Sequence, residues 1–165
     1  MSTRELTKKG QTTEETARLL AASELVRRGY AVALGYGVHP SSGDMAVVRP
    51  DGSKAWISVI GPKTVSSWLV APKSAKIQFY ILVDVARVAS EGGRNRPDEF
   101  FILSARGAEQ FKTSLKSLRP RGPRYRPENV FAAAGRFRDA WDKLEAPHVL
   151  GWEAGIYAAL GVQLA

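Results

Sequence analysis

The sequence predicts a single α/β (α+β) domain, a central mixed sheet of about four or five strands flanked by helices. Three observations lead there. Apolar, β-branched runs crowd the middle of the chain at residues 44–60, 79–85 and 99–103; helical patterns stand before and after them; and no internal repeat or compositional break divides the 165 residues. A chain of this length suits one domain that buries about two-thirds of its unfolded surface. Its 44% hydrophobic and 24% charged residues lie in the ordinary globular range.

Residues 1–12 are polar and read as a flexible N-terminus. Thr12 and Glu15 then stand at capping-box spacing, Leu19, Ala22 and Val26 follow at helical intervals, and Gly29 supplies a C-terminal stop. This predicts an amphipathic helix over about 13–28, its apolar face turned to the core. YAVAL is next, a short β-type run, and GYGVHPSSG is a loop of turn formers. Residues 44–49 and 54–60 are two strand-like runs joined by Pro50-Asp51-Gly52, the composition of a hairpin connection. Gly61-Pro62 ends the second run, because proline cannot donate to a central ladder.

FYILVDV is apolar almost throughout, as a strand buried on both faces is, and EFFIL repeats the type after the loop SEGGRNRPD. Ser104 can cap a helix over about 105–117. RPRGPRYRP has too much proline and glycine to be helical, and a shorter helical stretch follows over about 129–144. Residues 146–165 are apolar enough to pack as a last helix or tail on the domain or on a partner. The expected core is the apolar face of the first helix with Val47, Ile57, Val59, Ile81, Val83 and Ile102.

The chain has no cysteine, which removes disulfides, thiolate metal sites and cysteine nucleophiles together. No stretch approaches the roughly 20 apolar residues of a membrane span, and the polar N-terminus lacks the apolar region of a signal peptide. A cytoplasmic protein with no membrane partner is expected. The net charge is +8, and most of it lies in one segment. Lys112, Lys116, Arg119, Arg121, Arg124, Arg126, Arg136 and Arg138 are interrupted there by a single acid, Glu128. Such a segment attracts polyanions through counterion release and long-range steering; a solvated basic loop is the plainer alternative.

Several short motifs fall in a telling order: Arg27-Arg28-Gly29 at the end of the first helix, Gly43-Asp44, Trp68-Leu69, Phe79-Tyr80 with Val83, Glu99-Phe100-Phe101-Ile102, Arg136-Phe137-Arg138-Asp139, and Trp141-Asp142-Lys143-Leu144. In this order and spacing, over roughly residues 13–145, the chain resembles the restriction-endonuclease-like superfamily, whose signature is PD, a spacer, then (D/E)-x-K. It is similar more narrowly to small bacterial members of that superfamily. The resemblance implies a restriction-endonuclease-like domain with Asp44 as a metal ligand and the hairpin as the seat of the site.

Residues two apart on a strand share a face, so an acid and a lysine at i and i+2 point together at a phosphate beside the preceding Asp. Two carboxylates can hold a hard cation such as Mg²⁺, and the lysine positions or activates the attacking water. Aligned by the hairpin, this chain has Ser58 at the acid position and Ile60 at the lysine position. A second alignment matches Lys63-Thr64 to the family's Lys-Thr with a bulge at Gly61-Pro62. The family's helix acid falls near Arg18, with Glu14 and Glu15 one turn earlier as the substitutes. Asp44 is therefore either a remnant ligand or a residue that takes backbone hydrogen bonds at the start of its strand.

Other chemistry is poorly supported by the residues. Ser41, Ser42, Ser66 and Ser67 lack a Gly-x-Ser-x-Gly elbow. His39 and His148 have no acidic or cysteine partner at metal-ligand spacing, and Gly35-Tyr36-Gly37 reads as a turn. Trp56, Trp68, Tyr80, Tyr125 and Trp141 could stack bases where exposed, and Tyr125 between Arg124 and Arg126 is the foremost candidate. The expected function is a non-catalytic nuclease-fold protein that binds nucleic acid, DNA in preference. Its contacts are mainly to phosphates, from Arg119, Arg121, Arg124, Arg126, Arg136 and Arg138. No cofactor is expected, and Mg²⁺ enters only if cleavage is retained. Two alternatives stand beside it: a Mg²⁺ nuclease with a rearranged site of Asp44, Lys63 and a nearby Glu, and a protein-interaction module that self-associates through the apolar tail.

Overall fold

A computed structural model of the chain describes residues 3–35, 44–49, 51–86, 96–117 and 125–145, with side chains from residue 13 onward. Helix α1 (Thr3–Arg27) leads into β1 (Ala31–Leu34), β2 (Met45–Val48) and β3 (Lys54–Ile60). A short helix α2 (Val65–Val70) carries the chain to β4 (Phe79–Asp84), and β5 (Glu99–Ser104) runs directly into α3 (Ala105–Ser117). Helix α4 (Pro127–Ala133), a 3₁₀ turn at Gly135–Phe137 and α5 (Asp142–Glu145) complete the described chain.

The five strands form one mixed sheet in sequential order, antiparallel except for the β3–β4 pair, which is parallel. The β2–β3 hairpin closes as its sequence dictates. Gly52 takes a positive φ of 84° that an L side chain adopts only with strain, and the Asp51 carboxylate accepts from the Ser53 backbone and hydroxyl. A parallel neighbour cannot be reached by a hairpin, so β3 and β4 need a crossover, and α2 provides it.

Alternation along the strands divides the core in two. Met45, Val47, Ala55, Ile57, Val59, Phe79, Ile81, Val83 and Ile102 face α1, whose buried residues are Ala17, Ala21, Ala22 and Leu25. Ile60, Tyr80, Leu82, Phe101 and Leu103 face the other way and pack with α2, α3 and α4. Strand β4 contributes to both layers, which explains its nearly unbroken apolar sequence. No residue of β1 or β2 belongs to the second layer. On that side the β1–β2–β3 half of the sheet is left to Ala31, Ala33, Ala46, Val48, Lys54 and Trp56, all exposed or half-exposed.

Three expectations are corrected. Helix α1 begins at Thr3, so Thr12 lies inside it and does not cap it. Its core face is Ala17, Ala21 and Leu25 at i, i+4 and i+8 with the expected Ala22 beside them, whereas Leu19 and Val26 are 51% and 58% exposed. Alanines allow the helix backbone to approach the sheet closely, and Leu19 and Val26 are turned outward. The expected helix at 129–144 is broken into three pieces. Asp139 takes φ 49°, its N–H donates to the Phe100 carbonyl, and Arg138 bridges to Phe101, so the chain is drawn onto the open edge of β5 midway. His39, His148, Ser41, Ser42, Arg119, Arg121, Arg124 and the apolar tail 146–165 lie outside the described residues.

Candidate functional site

The register of the hairpin pairs Met45 with Ile57, which sets Asp44 opposite Ser58 at the end of the β2–β3 ladder. Paired residues on antiparallel strands share a face, and the two side chains meet: the Ser58 hydroxyl donates to Asp44 Oδ2 at 2.8 Å. The same oxygen accepts the Val59 N–H at 2.7 Å. The other carboxylate oxygen, Oδ1, accepts from Arg18 Nη2 at 3.2 Å, and Arg18 Nη1 lies 3.3 Å from Glu15 Oε2. Asp44 and Arg18 side chains are 17% and 20% exposed, so this is a shielded contact and not a loose surface pair.

Of its two expected readings, Asp44 fills the one that takes a backbone hydrogen bond, from the Val59 N–H. The cation it holds is a guanidinium from α1. Lys63 is exposed, and its backbone N–H, not its ammonium, makes the contact that orders it.

That contact belongs to Glu14, one turn before Arg18. Glu14 Oε2 accepts the Gly61 N–H at 3.1 Å and the Thr64 hydroxyl at 2.9 Å, and Oε1 accepts the Lys63 N–H at 2.9 Å. Helix α1 therefore grips the turn that follows β3 through one carboxylate. A Cβ on Gly61 would lie 2.6 Å from Glu14 Oε2 and would push that carboxylate off the turn. Sequence reasoning named Glu14 only as a substitute metal ligand and missed this role. The signal was present in the free N–H groups of a Gly-Pro-Lys-Thr turn leading into a helix.

The residues do not fit a resident Mg²⁺. Both oxygens of Asp44 are engaged by protein donors, the neighbouring strand offers the Ser58 hydroxyl and the buried Ile60, and Glu14 is committed to the turn. A hard cation at such a position asks for several unoccupied anionic oxygens. Among the described residues no group of three or more His, Cys, Asp or Glu side chains could hold a metal ion.

The expected nucleic-acid contacts are only partly described. Arg126 and Arg136 are exposed. Arg138 is half-exposed, with Nη2 3.1 Å from Glu99 Oε1. Lys112, counted with the basic segment, is 3% exposed; its ammonium sits 4.8 Å from the Trp68 ring centre, 3.4 Å from Glu109 Oε1 and 3.4 Å from the Ala71 carbonyl. It is a packing residue. Tyr125 is half-buried and donates its hydroxyl to the Leu115 carbonyl. Trp68, Tyr80 and Trp141 are buried, whereas Trp56 is 41% exposed. Ser66 and Ser67 spend their hydroxyls on the backbone carbonyls of Tyr125 and Thr64.

The chain matches no family model, no curated protein and no solved structure. No helix among the described residues is long and apolar enough to cross a membrane.

Proposed function

We propose that this chain is a restriction-endonuclease-like domain whose active site has decayed, and that it binds nucleic acid in the cytoplasm without cleaving it. The observation that carries this reading is the Arg18–Asp44 contact. It pairs a guanidinium of the chain itself with the carboxylate that the family resemblance assigns to the metal, and Ser58 donates to the other oxygen. A guanidinium neutralises Asp44 as a cation would but activates no water.

Binding rests on the basic segment, with Arg126 and Arg136 exposed and Arg119, Arg121 and Arg124 beside them in sequence. Contacts are to phosphates, DNA is favoured, and no cofactor takes part. The test is binding of mixed-sequence duplex DNA against salt, parent beside a variant with Arg121, Arg124 and Arg126 all changed to Glu. With Arg138, the arginines of the basic segment make six arginine–phosphate contacts, which give a log–log salt slope of about −5, and the triple variant loses binding. Undiminished binding by that variant rejects the reading, as does Mg²⁺- or Mn²⁺-dependent cleavage that Asp44→Ala abolishes.

A further inference from the structure

The half of the sheet that no helix of the second layer covers among the described residues carries an indole that the basic segment does not explain. Trp56 stands on β3, 41% exposed. Burying an indole is strongly favourable, and Trp68 and Trp141, at 6% and 3% exposed, show that this chain does bury them. Its cross-strand neighbours are small. The register aligns Ala33, Ala46 and Trp56 in one row and Ala31, Val48 and Lys54 in the next, so the ring rises from a low floor.

The backbone beneath it is fixed on the other side. Gln78 Oε1 accepts the Trp56 N–H at 3.0 Å, and the Gln78 N–H donates back to the Trp56 carbonyl. An aromatic plane held on a rigid strand loses little conformational freedom when a ligand covers it.

Exposed lysines stand near it in sequence, with one acid, Asp51, in the hairpin turn beyond Lys54. From Lys54 to Val83 the sequence holds Lys54, Lys63, Lys73 and Lys76 and no Asp or Glu, and all four lysines are exposed. Lys54 shares the face of Trp56 two residues away; Lys73 and Lys76 lie in the segment that leads to Gln78. On the other side Ser58 shares the face as well, and the carboxylate it contacts, Asp44, pairs with Arg18, which also meets Glu15.

A flat indole with Lys54 on its own face, in a stretch of chain whose only charges are lysines, selects a ligand that brings both a π-face and phosphates. A base inside a duplex is stacked above and below and offers neither face, so the ligand is unpaired. We infer that the open face of β1–β2–β3 is a binding platform for single-stranded nucleic acid, with a base stacked on Trp56 and the flanking phosphates met by Lys54, Lys73 and Lys76. This rests on the nucleic-acid reading above and adds to it a second surface and a preference for unpaired strands.

The experiment measures anisotropy of labelled single-stranded DNA and RNA of about 12 nucleotides and of the matching DNA duplex, at one fixed salt concentration. Proteins are the parent, Trp56→Ala, Trp56→Phe and the triple arginine-to-glutamate variant. The parent binds a single strand more tightly than the duplex. Trp56→Ala weakens single-strand binding about ten- to a hundredfold and leaves the duplex unchanged, while Trp56→Phe keeps most of the affinity. Single strands quench the tryptophan fluorescence of the parent, and Trp56→Phe loses that quench. If Trp56→Ala binds single strands as the parent does while the triple variant binds nothing, the platform is rejected and the basic-segment reading stands. If the parent binds no nucleic acid, both fall. A parent dimer in sedimentation that Trp56→Ala dissociates makes the face a self-interface and overturns the platform.

Discussion

Arg18 and Asp44, 26 residues apart in sequence, meet at 3.2 Å at the end of the β2–β3 ladder. The contact joins α1 to the sheet through two shielded charges, each of which would otherwise be left partly dehydrated. Arg18→Ala is expected to lower unfolding free energy by about 1–3 kcal/mol. Asp44→Ala costs more, because Ser58 and the Val59 N–H lose their acceptor as well. In a double-mutant cycle by urea denaturation, Arg18→Ala and Asp44→Asn couple by about 0.5–3 kcal/mol; additive effects would mean that the pair contributes nothing as a pair.

The same arrangement predicts how a metal could be readmitted. Replacing Ser58 by Glu sets a second carboxylate opposite Asp44, and Arg18→Gln removes the resident cation. This double variant is less stable than the parent without metal, since two carboxylates repel, and Mn²⁺ raises its melting temperature. The parent melts at the same temperature with and without Mn²⁺. A double variant indifferent to Mn²⁺ shows that the three positions do not converge on one point.

Glu14 and Gly61 predict a failure of additivity. In Gly61→Ala the new methyl would sit 2.6–2.9 Å from the Glu14 carboxylate, and the flexible side chain swings away, releasing the N–H groups of Gly61 and Lys63 and the Thr64 hydroxyl. Gly61→Ala and Glu14→Ala each lower stability by about 1–3 kcal/mol, and the double variant is no worse than the single ones. Additive losses would place the cost of Gly61→Ala elsewhere.

Tyr80 sets the behaviour at alkaline pH. Burial, helped by the nearby Glu109 carboxylate, raises its phenol above the ordinary 10.0. A group whose folded value is raised contributes stability that is complete below the unfolded value and lost as pH rises through the folded one. Above pH 10 the parent therefore loses stability faster than Tyr80→Phe, which has no proton to give up. Parallel curves for the two proteins in pH-dependent denaturation would reject this.

Much of this was legible in the chain. The period-two pattern and the Pro-Asp-Gly turn located β3 at 54–60, where the structure has it, and the Ser58 and Ile60 substitutions could be read from strand alternation alone. Arg18 was located as the residue at the helix-acid position, but its reach to Asp44 depends on the tilt of α1 over the sheet, which spacing along one helix does not specify. The face of α1 was misread because Leu19 and Val26 outrank Ala17 and Ala21 in hydrophobicity, while close helix–sheet approach favours the smaller residues. The break at Arg138 and Asp139 was invisible because its cause is the unpaired edge of β5, a partner nearly 40 residues away.

The Glu14 carboxylate ties residue 14 to residues 61–64, a loop of nearly 50 residues. Closing so long a loop through one flexible side chain has a high entropic cost and returns little until the hairpin and the crossover are already in place. The clamp therefore forms after the rate-limiting step of folding, and its loss is felt on the way out. Glu14→Ala refolds at the parent's rate and unfolds faster, which makes this side chain a setting for the lifetime of the folded state and not for the speed of reaching it.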